Sequence, residues 1–141
     1  MICPDINLLL YAVFSTFPQH GKAKAWWDGI LSGSQTVRIG HAVVLGFVRI
    51  TTNRRVFSTP LTTSEALQVV DGWLEQPNVE LIAPANAHWG NLKNMISKGN
   101  AGSNLTTDAH IAALAADYGL IVHSNDTDFA RFPDIKVINP L

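Results

Sequence analysis

The most constraining feature of the sequence is a helix-like segment in its last third that runs directly into an apolar stretch. The segment TTDAHIAALAADYG places Ile111, Leu114, Ala115 and Tyr118 on one helical stripe, and Gly119 is typical of the residue that ends a helix. LIVH follows without a polar break, which is typical of a parallel strand buried on both faces. This unit predicts an α/β protein with a parallel sheet.

The remaining sequence alternates between strand-like and helix-like segments. Strands are predicted at 1–3, 36–39, 79–83, 120–123 and 136–140. Helices are predicted at 7–14, 20–32, 41–53, 88–96 and 106–118, and a further helix begins at Thr62 or Thr63 and ends before Pro77. With no linker or repeat, and with 47% hydrophobic residues for one core, we expect a single three-layer α/β domain over 1–141, in which helices flank a central parallel sheet.

Acidic residues follow two of the predicted strands. Asp5 comes after the first strand, and Asp126 and Asp128 come after LIVH. Asp108 lies in the first turn of the preceding helix. Because active sites of open parallel sheets lie beyond the carboxyl ends of the strands, we expect these four carboxylates to converge.

Converging carboxylates favour a bound cation. Two of them about 4 Å apart repel by roughly 4 kcal/mol at an effective dielectric constant near 20, unless one is protonated or a cation neutralises them. Oxygen ligands alone indicate Mg²⁺ or Mn²⁺, and the matching chemistry is hydrolysis of a phosphodiester by a metal-activated water.

Each acid also has a structural explanation. Asp108 is placed where a helix N-terminus favours an acid, Asp126 and Asp128 suit a turn, and Asp5 suits a helix cap. The sequence alone leaves both explanations open.

Composition excludes several classes of protein. Ten basic and eleven acidic residues give a net charge of -1, so nucleic acid could be bound only through a local basic patch. Arg49, Arg54 and Arg55 at the end of the third helix could form such a patch, or could be ordinary solvated residues. The single cysteine, Cys3, cannot form an internal disulfide and favours the cytoplasm, and no signal peptide or membrane span is predicted. No zinc, phosphate-loop or serine-hydrolase motif is present.

The sequence resembles the PIN-domain ribonucleases, and more narrowly the VapC toxins of bacterial VapBC toxin–antitoxin pairs. The resemblance covers nearly the whole chain and rests on PDINLLLYA, VVLGFVRITTNRRVF, GNAGSNLTTDAHIAALAADYG, SNDTDFARF and INPL. It implies a Mg²⁺ or Mn²⁺ site and endonucleolytic cleavage of structured RNA of the tRNA or rRNA class. A cognate VapB-type antitoxin is the implied protein partner, and a homodimer is expected.

The resemblance also implies roles for individual residues. Asp5, Asp108 and Asp126 match catalytic metal carboxylates of the family, and the supporting positions are Asn7, Thr107 and Asp128. The family usually has a glutamate in the third helix, where this chain has Gly46. We therefore expect Gly46 to weaken metal binding, and to be kept for a close approach of the backbone or because no ligand is required there.

Two other functions compete with a nuclease. Gly46 motivates a catalytically weak or inactive PIN-like module that binds RNA or protein. Asp5 and the DTD sequence at 126–128 superficially fit an aspartyl-phosphate hydrolase, although no second acid stands at position 7 and no lysine is an obvious partner. Metal-dependent turnover of RNA distinguishes the first alternative from a nuclease, and assays on small phosphoesters test the second.

Overall fold

The computed structural model describes all 141 residues, which form one five-stranded sheet and six α-helices. The strands are β1 (Ile2–Pro4), β2 (Val37–Gly40), β3 (Val79–Ile82), β4 (Ile121–His123) and β5 (Lys136–Ile138). The helices are α1 (Ile6–Val13), α2 (His20–Leu31), α3 (His41–Thr51), α4 (Thr63–Leu74), α5 (His88–Gly99) and α6 (Thr106–Tyr118). Short 3-10 helices cover Ser103–Leu105 and Thr127–Arg131.

The sheet has the order β3-β2-β1-β4-β5, and every neighbouring pair is parallel. The predicted α/β fold with a central parallel sheet flanked by helices is confirmed. Strand β1 lies in the centre, and Cys3 on this strand is completely buried, which raises the pKa of its thiol to about 12. No helix combines the length and apolar character needed to cross a membrane.

Several predicted boundaries differ from the structure by one to three residues, and two of these differences have a clear physical cause. The fifth helix continues three residues beyond the predicted Ile96, to Gly99, and ends where Asn100 adopts a left-handed conformation with φ 46°. Strand β4 begins one residue late because Leu120 belongs to the cap of α6, where its N–H donates to the Ala115 carbonyl at 2.8 Å. Gly119 supplies the left-handed residue of this cap, with φ 64°.

Helix α4 begins with a reciprocal capping box. The Thr62 hydroxyl accepts a hydrogen bond from the Glu65 N–H at 3.1 Å, and the Glu65 carboxylate accepts one from the Thr62 N–H at 3.0 Å. The structure thereby selects Thr62, not Thr63, as the capping residue.

Thr62→Ala is expected to lower the free energy of unfolding by about 1 kcal/mol, because the first turn of α4 loses its side-chain acceptor. Thr63→Ala, one residue further along, is the control and is expected to change little. Urea denaturation measures both values, and an equal loss in the two variants would contradict the assignment of the cap.

A buried polar network fastens α5 to α6. The Asp117 side chain is completely buried and accepts hydrogen bonds from His88 Nδ1 at 2.5 Å, Asn91 Nδ2 at 2.7 Å and the Ala85 N–H at 3.2 Å. The other ring nitrogen of His88 lies 3.0 Å from His110 Nδ1 on α6. One carboxylate therefore holds both the start of α5 and the loop before it.

Candidate active site

Asp5 lies at the carboxyl end of the central strand, where it begins α1. Its side chain is only 3% exposed, and one oxygen accepts a hydrogen bond from the Ile6 N–H at 2.7 Å. The other oxygen accepts one from the Ser124 hydroxyl at 2.8 Å. Burial raises the pKa of Asp5, the hydrogen bonds oppose the shift, and the charge of Asp126 adds to it. Asp5 thus serves as a helix cap while placing a poorly solvated carboxylate at the sheet edge.

Ser124 joins the ends of strands β1 and β4. Its hydroxyl donates to Asp5 and accepts a hydrogen bond from the Asp126 N–H at 2.9 Å. Asp126 in turn caps the 3-10 helix, since its side chain accepts from the Asp128 N–H at 2.8 Å. Ser124 was not among the predicted site residues. Its only signal in the sequence is its position directly after a buried strand.

Asp108 faces the other acids from the first turn of α6. Its pKa is raised to about 6, mainly by burial. Negative charges nearby raise it in the same direction; they belong to Asp5, Asp126 and Asp128. The structure therefore brings the four predicted carboxylates to one edge of the sheet. Asp108 makes no capping hydrogen bond to the start of α6, so capping does not explain its position.

Arg131 lies beside the acidic edge, the name used here for the sheet edge that carries Asp5, Asp108, Asp126 and Asp128. It was not among the predicted site residues. It donates to Asp128 at 3.1 Å and to the Gly99 carbonyl at 2.9 Å. Its charge lowers the pKa of Asp108, against the effect of the acids. Arg131 thus ties the 3-10 helix to the end of α5 and offsets part of the negative charge.

The oxygen ligands of the acidic edge suit a divalent cation, although its side chains do not already form a site with three ligands. No group of three or more His, Cys, Asp or Glu side chains is placed to hold a metal ion together. The available donors are nevertheless all carboxylate oxygens that repel one another, and a hard cation relieves that repulsion. Because Mg²⁺ commonly binds through one or two carboxylates and retains several waters, the residues fit such an ion.

A shallow cavity of about 340 Å³ adjoins the acidic edge, between α3 and the start of α6. It is lined by Ala42, Leu45, Gly46, Arg49 and Thr107. Of the three predicted RNA-binding arginines, only Arg49 lines this cavity. Arg54 and Arg55 are exposed in the turn beyond α3, and neither makes an ion pair. Asn7, the remaining supporting residue, is half-buried in the first turn of α1, where its N–H lowers the pKa of Asp5.

Gly46 allows a close approach between α3 and α1. A Cβ atom at this position would lie 2.5 Å from Cδ1 of Ile6, the residue that follows Asp5. The close contact at Gly46 is with the Ile6 side chain and not with backbone, and the Ile6 Cδ1 methyl occupies the direction in which a side chain at position 46 would start.

Comparisons with known proteins agree on one family. The sequence profile of the PIN domain matches residues 2–135. Ribonuclease VapC33 of Mycobacterium tuberculosis strain H37Rv is 45% identical over 141 residues, which cover 100% of this chain and 99% of that protein. The fold is similar to that in the crystal structure of VapBC2 from Rickettsia felis bound to a promoter DNA fragment, with a TM-score of 0.71, 16% identity and coverage of 99% and 98%. It is also similar to M. tuberculosis VapC20, a toxin that cleaves the sarcin–ricin loop, with a TM-score of 0.70, 16% identity and coverage of 96% and 99%.

Proposed function

This chain belongs to the PIN-domain family, and from that membership we propose that it is an endoribonuclease toxin of the VapC type. We propose further that its activity requires Mg²⁺ or Mn²⁺ and that its substrate is structured RNA of the tRNA or rRNA class. The sarcin–ricin loop is the substrate of the structurally similar VapC20, which supports the rRNA class. The whole chain, residues 1–141, forms the catalytic domain in this proposal.

The observation that carries the proposal is the convergence of partly or fully buried carboxylates at the sheet edge. Burial and neighbouring negative charge raise the pKa values of both Asp5 and Asp108. Such an arrangement disfavours the ionised state of these groups in the absence of a cation, and perturbed carboxylates of this kind are typical of functional sites. A structural role alone does not require three acids to face one another.

The residues of the acidic edge and its surroundings have different roles in this proposal. Asp5, Asp108 and Asp126 would hold the cation, which when bound polarises the scissile phosphate and makes its coordinated water acidic. Ser124 keeps Asp5 and Asp126 in register through its two hydrogen bonds. Asn7, Thr107 and Asp128 support these positions from the adjoining turns, and Arg49 draws the RNA backbone towards the acidic edge from the neighbouring cavity. Arg54 and Arg55 extend this attraction beyond α3.

The activity is tested by incubating the purified protein with total RNA in MgCl₂, in MnCl₂ and in EDTA. We expect endonucleolytic fragments with either metal and none in EDTA, and sequencing of the RNA ends then identifies the cut. Intact RNA under all three conditions would overturn the proposal.

A non-catalytic RNA- or protein-binding module is the second candidate, and Gly46 is the observation that favours it. The family's usual glutamate is absent here, and Ile6 fills the adjoining space. Such a module would bind RNA equally well in EDTA and would leave the RNA intact.

Restoring a carboxylate at position 46 is expected to strengthen Mn²⁺ binding once Ile6 is shortened. Ile6→Val removes the Cδ1 atom that a Gly46 side chain would meet, at a stability loss of about 1 kcal/mol. In this background, Gly46→Glu is expected to tighten Mn²⁺ binding about tenfold, since one more anionic oxygen joins the site.

Titration calorimetry without RNA measures this change. Gly46→Gln in the same Ile6→Val background is the matched control, which has the same shape without the charge. Equal Mn²⁺ affinities in the two variants would mean that position 46 does not face the metal.

We also propose a VapB-type antitoxin as the partner of this chain, supported by the similarity to the R. felis VapBC2 complex. An arginine or lysine of the antitoxin would pair with the acidic edge and compete with the metal. The test is co-purification of the protein with the product of a small neighbouring gene; repeated isolation of the toxin alone from its native operon would contradict it. The predicted homodimer is tested separately by sedimentation velocity.

A further inference from the structure

A polar trough runs from the acidic edge to the start of α2. Its first part is a cavity of about 250 Å³ whose lining includes Ser124, Asn125, Asp126 and Asn139. Its second part is a cavity of about 540 Å³ that shares Asn125 and Asn139 with the first. The walls of the second part are completed by Pro18, Gln19, Gly21, Lys22 and Leu141. The two cavities therefore lie side by side and share the wall that Asn125 and Asn139 form.

Strand topology places these asparagines. Asn125 lies two residues after the end of β4, and Asn139 follows β5 directly. Since β4 and β5 are parallel neighbours, both amides lie at the same edge of the sheet as the carboxylates. The trough is thus a direct continuation of the candidate active site.

The side-chain amides of the trough have unused hydrogen-bonding capacity. Asn125 donates to Asn139 over a long 3.4 Å, and Asn139 accepts from the Leu141 N–H at 3.0 Å, which leaves the Asn139 amide group free to donate. Gln19 makes no side-chain hydrogen bond; its Oε1 atom is buried, so its amide nitrogen is the group that can donate into the trough. Amides that present both donors and acceptors match the edges of nucleobases.

The far end of the trough suits a phosphate. The Lys22 side chain is exposed there, its closest partner is the backbone oxygen of the last residue, Leu141, at 3.5 Å, and no acidic side chain pairs with it. The N–H groups of Gly21 and Lys22, in the first turn of the twelve-residue helix α2, have no acceptor within the chain. A cation and two free N–H donors at one wall of a cavity favour an anionic group.

The geometry points to a nucleotide subsite: the trough binds the RNA nucleotide next to the scissile phosphate, with its base against Gln19, Asn125 and Asn139 and its outer phosphate against Lys22. This inference rests on the proposed nuclease function. It adds that the trough makes cleavage selective for one base beside the cut. The cation-bearing end and the Lys22 end would then hold the two phosphates that flank this nucleotide. The base must be unpaired to enter, since its hydrogen-bonding edge faces the amides.

The first experiment compares cleavage profiles on a pool of RNA oligonucleotides with randomised sequence. The parent is expected to prefer one base beside the cut. Gln19→Ala and Asn139→Asp are expected to reduce kcat/KM for that base by about 10- to 100-fold and to flatten the preference, as loss of a bidentate base contact does. Asn139→Asp retains the oxygen that accepts from the Leu141 N–H, so it preserves the local fold. Gln68→Ala, an exposed residue of α4, is the matched control and is expected to keep the parent profile.

Lys22→Met tests the phosphate end. It is expected to reduce cleavage of all sequences equally and to lower the salt dependence by about one charge. Lys136→Met is its matched control, because Lys136 lies at the opposite, amino end of β5. Unchanged base preference in the amide variants, or equal effects of the two lysine variants, would overturn the subsite.

A second experiment does not depend on cleavage. The side-chain amide resonances of Gln19, Asn125 and Asn139 are followed by NMR in EDTA while each of the four ribonucleoside 5′-monophosphates is added. We expect shifts with one or two nucleotides and none with ribose 5-phosphate. Shifts without any RNA cleavage would retain the subsite and reject the nuclease, whereas metal-dependent cleavage without shifts would retain the nuclease and reject the subsite.

Discussion

Asp5→Asn is expected to reduce RNA cleavage by at least about 100-fold while the protein remains folded and at least as stable as the parent. The activity falls because a metal-binding charge is lost, and metal coordination contributes several kcal/mol to transition-state stabilisation. The fold is kept because asparagine has a similar shape: its oxygen can still accept from the Ile6 N–H, and its amide nitrogen can donate to the Ser124 hydroxyl oxygen.

The difference in stability between Asp5→Asn and the parent depends on pH in a defined direction. Burial raises the pKa of Asp5 in the folded state above its ordinary value of 3.8, so ionisation of Asp5 disfavours folding. The penalty is absent below the unfolded pKa and is complete above the folded pKa. In metal-free protein, the melting temperature of Asp5→Asn relative to the parent should therefore rise as the pH is raised through this window.

Cleavage assays and thermal melts across pH check both parts of the prediction. Asp71→Asn is the control, since Asp71 is an exposed acid on α4 and should affect neither quantity. Parent-like cleavage by folded Asp5→Asn would remove Asp5 from the metal site.

Asp117→Ala is expected to lower the free energy of unfolding by about 3 kcal/mol, a loss of roughly 10 °C in Tm. The variant removes the completely buried acceptor that three donors share, on His88, Asn91 and Ala85. An unsatisfied buried polar group is costly in its own right, so the loss exceeds that of one hydrogen bond.

Asp117→Asn separates the hydrogen bonds from the charge. Its oxygen can accept from His88 and Ala85, while its amide group can donate to Asn91 after that side chain turns over. We expect a smaller loss than in Asp117→Ala, measured by chemical denaturation at constant pH. A loss as large as that of alanine would show that the negative charge dominates the network.

Local patterns predicted most of the fold. The unit formed by α6 and β4 was recognisable because a helical stripe, a terminal glycine and a continuous apolar run occur in sequence. The acidic edge followed from the same logic, since parallel strands direct their carboxyl ends to one side and Asp5 and Asp126 follow two adjacent strands. Topology alone therefore accounts for the convergence of the acids.

The polar side chains that organise the edge were not predictable. Serine has no periodic signal, and the partner of Ser124 lies 119 residues away in the sequence. Arg131 acts through the Gly99 carbonyl, a backbone atom whose position depends on where α5 ends. The ligating geometry was also beyond prediction, because it depends on side-chain positions to within a fraction of an ångström; the structure contains no preassembled set of three ligands.

The central position of β1 has a consequence for synthesis on the ribosome. Asp5 is translated 119 residues before Ser124, and the strand that carries it stays without its β4 neighbour until residues 121–123 have been made. At cellular elongation rates this interval is on the order of 10 s. The candidate site therefore cannot form until almost all of the domain has been synthesised, so we expect the growing polypeptide to lack the proposed activity.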